Sequence, residues 1–216
     1  MSVKMEITDM LDESRGMLVS SLGTSIVETS TTCLLFGLLG LFLVMLGDRL
    51  GSFSGRRFGD DMVLLTDANT GYTVEDVRRV MPAMDELGIA WLEEPFPAHD
   101  HRSYAMAKGW GVTPLAAGEN HYTRFEFHRL IEDGNISILQ PDLSKSGGIT
   151  EVQRIAAAAS MWKLPIHPHS SMTGLNHAVS IHFLASIDNG GYFEADLSVA
   201  NKFRDELGSE PWQIGK

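Results

Sequence analysis

The chain has 216 residues, of which 44% are hydrophobic and 21% are charged, so its composition is that of a globular protein and not of a disordered segment. A formal net charge of -11 argues against nucleic acid as a partner but leaves an anionic small molecule open, because a bound metal can reverse the local field. The single cysteine, Cys33, excludes a disulfide framework within the chain and favours a reducing compartment, so we expect a cytoplasmic protein.

The first 56 residues lack the regular alternation of strand-like and helix-like segments that the rest of the chain shows. No charged residue occurs from Thr29 to Gly47, and this apolar run is close to the ~20 residues that a membrane-spanning helix needs. It is a poor signal peptide, because it begins late and acidic residues precede it. We treat residues 1–56 as an atypical N-terminal segment, in which a buried helix or a misread N-terminus is favoured over a membrane anchor.

Residues 57–216 show a repeated alternation of short apolar runs and amphipathic helical segments, which predicts parallel β/α units. The predicted strands are 62–66, 89–92, 113–117, 136–139 and 164–166, with a sixth at Tyr192 and Phe193. The predicted helices are 73–87, capped by Thr73 and ended by Gly88, and 123–133, 150–163 and 173–187. Six such units predict an α/β fold, an incomplete TIM-type (β/α) barrel, since a closed barrel has eight strands and about 250 residues.

An ionisable residue follows each predicted strand. These residues are separated by 26, 26, 23, 27 and 25 positions, which is about the length of one unit, and they are Asp67, Glu93, Glu119, Asp142, His169 and Glu194. The carboxyl ends of parallel barrel strands form one rim, where such barrels carry out their chemistry. We therefore expect all six side chains around one site.

The first three of these residues are carboxylates that would repel one another if they met without a partner. Bringing Asp67, Glu93 and Glu119 together therefore predicts a bound cation. Ligands that are all oxygen, with open positions for water and substrate, suit Mg²⁺. Glu94 is an alternative to Glu93 at the second position.

Five short motifs in fixed order resemble the mandelate racemase branch of the enolase superfamily, in its mandelate racemase/muconate lactonizing enzyme C-terminal barrel domain. They are Asp67-Ala68-Asn69, Trp91-Leu92-Glu93-Glu94-Pro95, Gly118-Glu119-Asn120, Gln140-Pro141-Asp142 with Gly147-Gly148, and His167-Pro168-His169. The resemblance extends from about Arg57 to Pro211. Gly147-Gly148 could also be a phosphate loop, but a tight turn between strand and helix is favoured.

The resemblance implies a role for each residue of the set. Asp67, Glu93 and Glu119 become the metal ligands. Asp142 and His169 become an acid/base dyad in which the carboxylate orients the imidazole, Lys145 supports the dyad, and Glu194 hydrogen-bonds a substrate carboxylate or enolate oxygen. His121 and His167 are candidate substrate contacts, and His167 is also the alternative to His169 as the partner of Asp142.

The implied chemistry is Mg²⁺-dependent removal of the proton α to a carboxylate, with His169 as a plausible base. We expect a hydro-lyase that dehydrates a sugar acid to a 2-keto-3-deoxy acid. A racemase or epimerase of a 2-hydroxy acid is the alternative, followed by a truncated non-catalytic family member or a membrane-tethered remnant of the barrel. The expected partner is a small-molecule carboxylate, and the full-length enzyme is expected to be a homo-oligomer.

Two parts of the family pattern are not recognisable in this sequence. A Lys-x-Lys pair is expected about 30 residues before Asp67, where the chain reads Leu35-Phe36-Gly37-Leu38-Leu39. An N-terminal capping domain, which would close the site, is also not recognisable. We therefore expect a truncated or rearranged copy of a longer enzyme, with little or no dehydratase activity by itself.

Overall fold

A computed structural model describes residues 63–171, 173–196 and 201–208. The atypical segment 1–56, its apolar run and the stretch 35–39 all lie outside these residues, and so does the expected boundary at residue 57. The described residues fall into two compact units, divided between Pro114 and Leu115. Within the described part of the chain, no helix is long and apolar enough to cross a membrane.

The first unit contains two strands and two helices. Strand β1 is Thr66–Asp67, helix α1 is Val74–Glu86, strand β2 is Leu92–Glu93 and helix α2 is His101–Ala107. The two strands pair in parallel, with Thr66 opposite Leu92 and Asp67 opposite Glu93. A helix between parallel strands is the expected β/α unit.

Helix α1 begins and ends close to where the sequence predicts. The Thr73 hydroxyl accepts a hydrogen bond from the Asp76 N–H at 3.2 Å, and the Asp76 carboxylate accepts one from the Thr73 N–H at 3.0 Å, which together form a capping box. Gly88, with φ of 65°, follows the last turn in the left-handed region that glycine adopts readily. The helix buries one face through Val77, Val80, Met81 and Met84.

Helix α2 was not predicted from the sequence. Asp100 caps it, accepting hydrogen bonds from the Ser103 N–H at 3.1 Å and the Ser103 hydroxyl at 2.6 Å. The buried Tyr104 hydroxyl donates to the Phe96 carbonyl at 2.8 Å. The helix has only seven residues, too few to show a clear helical period in the sequence, although Asp100 and Ser103 form a recognisable cap.

The second unit contains the remaining elements. They are β3 Leu115–Ala117, α3 Thr123–Asp133, β4 Ile138–Leu139, α4 Ile149–Ser160, α5 Gly174–Leu184 and α6 Lys202–Asp205. Strands β3 and β4 pair in parallel, with Ala116 opposite Ile138 and Ala117 opposite Leu139. The predicted bounds of α3 and its closure by Gly134, which has φ of 60°, are confirmed.

Of the last two predicted strands, 164–166 is reduced to the bridged residue Ile166, and no strand is present at Tyr192 and Phe193. Ile166 makes isolated parallel bridges to Leu139 and to Gly190, and Gly190 precedes the predicted Tyr192–Phe193 strand. Proline accounts for part of the shortening of strand 164–166, because Pro165 has no N–H to donate to a ladder. The strand predicted at 113–117 is shortened in the same way, since Pro114 precedes β3. The α/β class with parallel strands is nevertheless confirmed.

A close backbone contact holds the end of β3 beside the end of β4. A Cβ atom on Gly118 would lie 2.5 Å from the Gln140 carbonyl carbon, so only glycine fits there. Glu119 and Asp142 follow these two positions. The contact therefore sets the spacing of two predicted site residues.

The carboxylate of Asp85 ties α1 to the chain before β3. It accepts hydrogen bonds from the Val112 N–H at 3.1 Å, the Thr113 N–H at 2.8 Å and the Thr113 hydroxyl. Burial would raise the pKa of Asp85, but these hydrogen bonds outweigh it and hold the pKa below its ordinary value.

We expect Asp85→Ala to lower the free energy of unfolding by about 1–3 kcal/mol, because backbone donors lose a charged acceptor. Since the folded pKa is depressed, this contribution is present at neutral pH and is lost as pH falls through the folded pKa. Urea denaturation at several pH values measures both effects. Glu86→Ala, at the exposed neighbouring position, is the matched control and should change little. Equal losses in the two variants would contradict the assignment.

Candidate active site

Two predicted metal ligands lie side by side at the carboxyl ends of β1 and β2. Asp67 and Glu93 are register partners in a parallel pair, so their side chains leave the strands toward the same side. The Asp67 carboxylate accepts a hydrogen bond from the Asn69 N–H at 2.8 Å. Glu93 is 1% exposed, and the Trp91 indole N–H donates to its Oε2 at 3.3 Å. The pair offers oxygen ligands only, which fits a hard cation such as Mg²⁺.

Glu94 directly follows this pair in an unusual backbone conformation. Its φ of 36° lies in the left-handed region, which is uncommon for a residue with a side chain. Its carbonyl accepts a hydrogen bond from the Thr70 N–H at 2.6 Å. The strand register therefore pairs Glu93, and not Glu94, with Asp67.

The second unit brings four predicted site residues together. The imidazole Nδ1 of His169 lies 2.7 Å from Oδ2 of Asp142, and its Nε2 lies 3.0 Å from Oε2 of Glu119. Lys145 Nζ is 3.6 Å from Oε1 of the same glutamate. The hydrogen bond expected between Asp142 and His169 is therefore present. Its catalytic role stays a prediction.

The charges of the cluster act on His169. Burial would lower the pKa of His169, but the hydrogen bond to Asp142 and the carboxylates of Glu194 and Glu119 raise it above its ordinary value. Burial would raise the pKa of Asp142, but the hydrogen bonds from His169 and Ser144 hold it below its ordinary value. The pair therefore favours a charged carboxylate beside an imidazole that holds its proton.

Glu194 lies next to the loop that carries the dyad histidine. Its Oε2 accepts a hydrogen bond from the Ser170 N–H at 3.0 Å, and its charge acts on His169.

The turn at Gly147 and Gly148, with φ of 107° and 82°, leads directly into α4. These glycines therefore form a turn between strand and helix.

Both candidate substrate histidines lie in packed surroundings. His121 is buried and its ring centroid is 5.9 Å from that of Phe127. The His167 ring centroid is 5.2 Å from that of Tyr192, whose N–H lies 3.4 Å from His167 Nδ1. Burial lowers the pKa of His167 to about 4. Of the two strand-end histidines, His169 is the one that contacts Asp142; substrate binding by His121 and His167 stays a prediction.

Three polar residues of the cluster were missed in the sequence. The N–H and hydroxyl of Ser144 both donate to Asp142 Oδ1, at 2.7 and 2.5 Å, and the Asn176 side chain donates to the same oxygen at 3.2 Å. The Ser171 hydroxyl lies 3.0 Å from His169 Nε2. An aspartate two residues before a serine is typical of a local turn in which the carboxylate accepts hydrogen bonds, so the contact of Ser144 with Asp142 could have been predicted. No local pattern in the sequence predicts the contacts of Asn176 and Ser171.

The predicted metal triad is divided between the two units, because Asp67 and Glu93 belong to the first and Glu119 to the second. Among residues 63–171, 173–196 and 201–208, no group of three or more His, Cys, Asp or Glu side chains is arranged to hold a metal ion. The convergence of the triad therefore stays a prediction, and what the structure shows of it is the register pairing of Asp67 with Glu93.

Comparison with known proteins points to one family. The model of enolase C-terminal domain-like proteins matches residues 55–216. A D-galactarolactone cycloisomerase from Agrobacterium fabrum is 36% identical over 129 residues, which are 60% of this chain and 34% of the relative. A D-galactonate dehydratase from Variovorax paradoxus is 39% identical over 108 residues, which are 49% of this chain and 28% of the relative. The chain spans about a third of the length of these curated relatives.

Solved structures of the same superfamily share the fold. An enolase superfamily member from Polaromonas sp. JS666 is 49% identical, with a TM-score of 0.72 over 78% of this chain and 44% of that chain. A racemase from Streptomyces coelicolor, solved with bound magnesium, is 30% identical, with a TM-score of 0.63 over 71% of this chain and 41% of that chain. These neighbours support a TIM-barrel-type α/β fold.

We expect His167 to stay neutral in the folded chain well below pH 6.5, with a pKa of about 4. Between these values the unfolded chain binds a proton that the folded chain does not, so the contribution of His167 to stability falls as pH falls through this window. NMR titration of the imidazole signals measures the pKa, and His167→Phe assigns the resonance. A ring that titrates near pH 6.5 would contradict the burial argument.

Proposed function

Because this chain belongs to the family of enolase C-terminal domain-like proteins, we propose that it removes the proton α to the carboxylate of a sugar acid. The membership confirms the resemblance read from the ordered motifs. Relatives named as sugar-acid dehydratases support this substrate class. The observation that carries the proposal is the contact between Asp142 and His169, with Glu119 on the far side of the imidazole.

Asp142 prepares His169 for proton transfer. The carboxylate accepts a hydrogen bond from Nδ1–H at 2.7 Å, which fixes the tautomer of the neutral ring. Nε2 faces the Glu119 carboxylate at 3.0 Å and donates to it while His169 is charged, so Nε2 must lose this proton before it can act as the base. Both side chains are buried, which restricts their motion. A base that is held in position beside the substrate lowers the barrier to proton transfer. Nε2 is therefore the atom that would receive the α-proton.

The charge that develops on the substrate requires stabilisation. Asp67, Glu93 and Glu119 would hold Mg²⁺, which when bound supplies positive charge beside the carboxylate and enolate oxygens. Lys145, 3.6 Å from Glu119, adds a positive charge within the second unit. Glu194 would hydrogen-bond a substrate oxygen. Bound magnesium in the Streptomyces coelicolor structure supports the choice of cation.

Dehydration completes the proposed reaction. After His169 takes the α-proton, the electron pair of the broken C–H bond remains on the substrate as an enolate. The β-hydroxyl then leaves, taking a proton from the imidazolium of His169, and departs as water. The resulting enol tautomerises to a 2-keto-3-deoxy acid. One side chain thus serves as base and then as acid.

A racemase, epimerase or cycloisomerase shares the first step and differs in the fate of the enolate. The racemase and cycloisomerase among the similar proteins support this second candidate. Dehydration is separated from racemisation or epimerisation by its product, because of these reactions only dehydration forms a 2-keto acid. Dehydration is favoured because one histidine base is sufficient for it, whereas racemisation needs a second base on the opposite face.

We expect the chain to bind Mg²⁺ through the carboxylates at the ends of β1 and β2. Glu93→Gln should weaken binding at least about tenfold, because a charged oxygen ligand becomes a neutral one. Isothermal titration with Mg²⁺ measures the affinity. Asp76→Asn, which alters a carboxylate of the α1 cap in the same unit, is the control. Equal affinity in wild type and Glu93→Gln would exclude Glu93 as a ligand.

We expect His169→Asn to abolish exchange of the α-proton while Mg²⁺ binding is retained. Wild-type chain is incubated in D₂O with Mg²⁺ and a panel of four- to six-carbon sugar acids, and proton NMR follows loss of the α-proton signal. Exchange is the sensitive assay because it requires only the first step. His167→Asn is the matched control and should retain exchange. Little 2-keto acid is expected from this chain by itself, but exchange of the α-proton is expected because it needs only the first step. Exchange that survives in His169→Asn, or is absent from the wild type, would overturn the proposal.

A further inference from the structure

We propose that Asn176 is a positioning residue that holds the carboxylate of Asp142 in the orientation that the dyad needs. The inference rests on the proposed function, since the dyad is the group that Asn176 would position. The Asn176 side-chain amide donates to Asp142 Oδ1 at 3.2 Å, while Oδ2 of the same carboxylate faces His169 at 2.7 Å. The two contacts occupy different oxygens of one carboxylate.

The chemistry of the contact defines its direction. A carboxylate that stays charged can only accept hydrogen bonds, so the amide must present its NH₂ group and not its oxygen. Asn176 is 4% exposed and Asp142 is 0% exposed, so water does not compete for the contact. A charge-assisted hydrogen bond in such surroundings is stronger than a neutral one.

The position of Asn176 in the chain gives the contact a mechanical role. It lies in the first turn of α5, where its N–H donates to the Thr173 hydroxyl at 3.0 Å, so its backbone is fixed by the helix cap. Ser144 also binds Oδ1, but it is two residues from Asp142 and moves with it. Asn176 instead connects Asp142 to the helix that follows the His169 loop. It therefore fixes the carboxylate relative to the imidazole.

The contact with Asn176 is expected to fix the orientation of the dyad and not to increase substrate affinity. Without the amide, Asp142 can rotate about its side-chain bonds and lengthen its contact with Nδ1. The imidazole would then lose its preferred tautomer and the direction of its Nε2 toward Glu119 and Ser171, which lie 3.0 Å away. Loss of Asn176 should therefore lower the rate of proton transfer more than it changes substrate affinity.

Asn176→Leu tests the inference, because leucine has a similar shape and no donor. Proton NMR of the wild-type chain should show a low-field signal from the His169 Nδ1–H, assigned by its absence in His169→Asn. We expect this signal to move upfield or to broaden in Asn176→Leu. Where exchange is measurable, its kcat should fall about tenfold or more with little change in KM. Asn176→Gln, which retains the amide, should restore part of both.

Ser180→Ala is the matched control, since Ser180 is buried in the same helix and its hydroxyl has no hydrogen-bond partner in the described part of the chain. It should leave the signal and the exchange unchanged. An unchanged low-field signal in folded Asn176→Leu, as judged by circular dichroism, would overturn the inference even if the wild type exchanges protons. A signal lost in Asn176→Leu but kept in Ser180→Ala supports it even if the wild type fails to exchange. The two proposals therefore fail separately.

Discussion

The buried carboxylate of Asp142 is the constraint on which the second unit depends. A charged group with no access to solvent is costly unless it is fully hydrogen-bonded, and Asp142 receives donors from His169, Ser144 and Asn176. These donors come from the loop after β4, the loop after the bridged residue Ile166, and helix α5. One carboxylate thus holds three parts of the chain together, and the group that would orient the base is also a structural centre.

Local signals in the sequence predicted the helices better than the strands. Thr73, Asp76 and Gly88 define α1, and Gly134 ends α3, because caps are set by neighbouring residues. Strand lengths depend on partners that are distant in sequence, so the sequence overestimated them. The strand predicted at 164–166 is an example, because Pro165 has no N–H to donate to the ladder and only Ile166 is bridged.

The same distinction applies to the candidate site. Its strand-end residues follow from the length of a β/α unit, which is why the Asp67 and Glu93 pair and the contact of Asp142 with His169 could be expected. The choice of partners within the cluster depends on side chains that meet only in three dimensions. Asn176 belongs to a helix whose sequence gives no sign that it faces a carboxylate. Supporting residues are for this reason harder to predict than the groups that they support.

The hydrogen bond between the Trp91 indole and Glu93 gives the first unit an intrinsic optical reporter. Trp91 is buried, whereas Trp162 is 66% exposed, so the two indoles differ in the polarity of their surroundings and therefore in emission wavelength. A change in the charge of the Glu93 carboxylate alters the field on the Trp91 ring directly. The chain has four tryptophans, so it is the Trp91 component of the fluorescence that can report changes in the surroundings of Glu93.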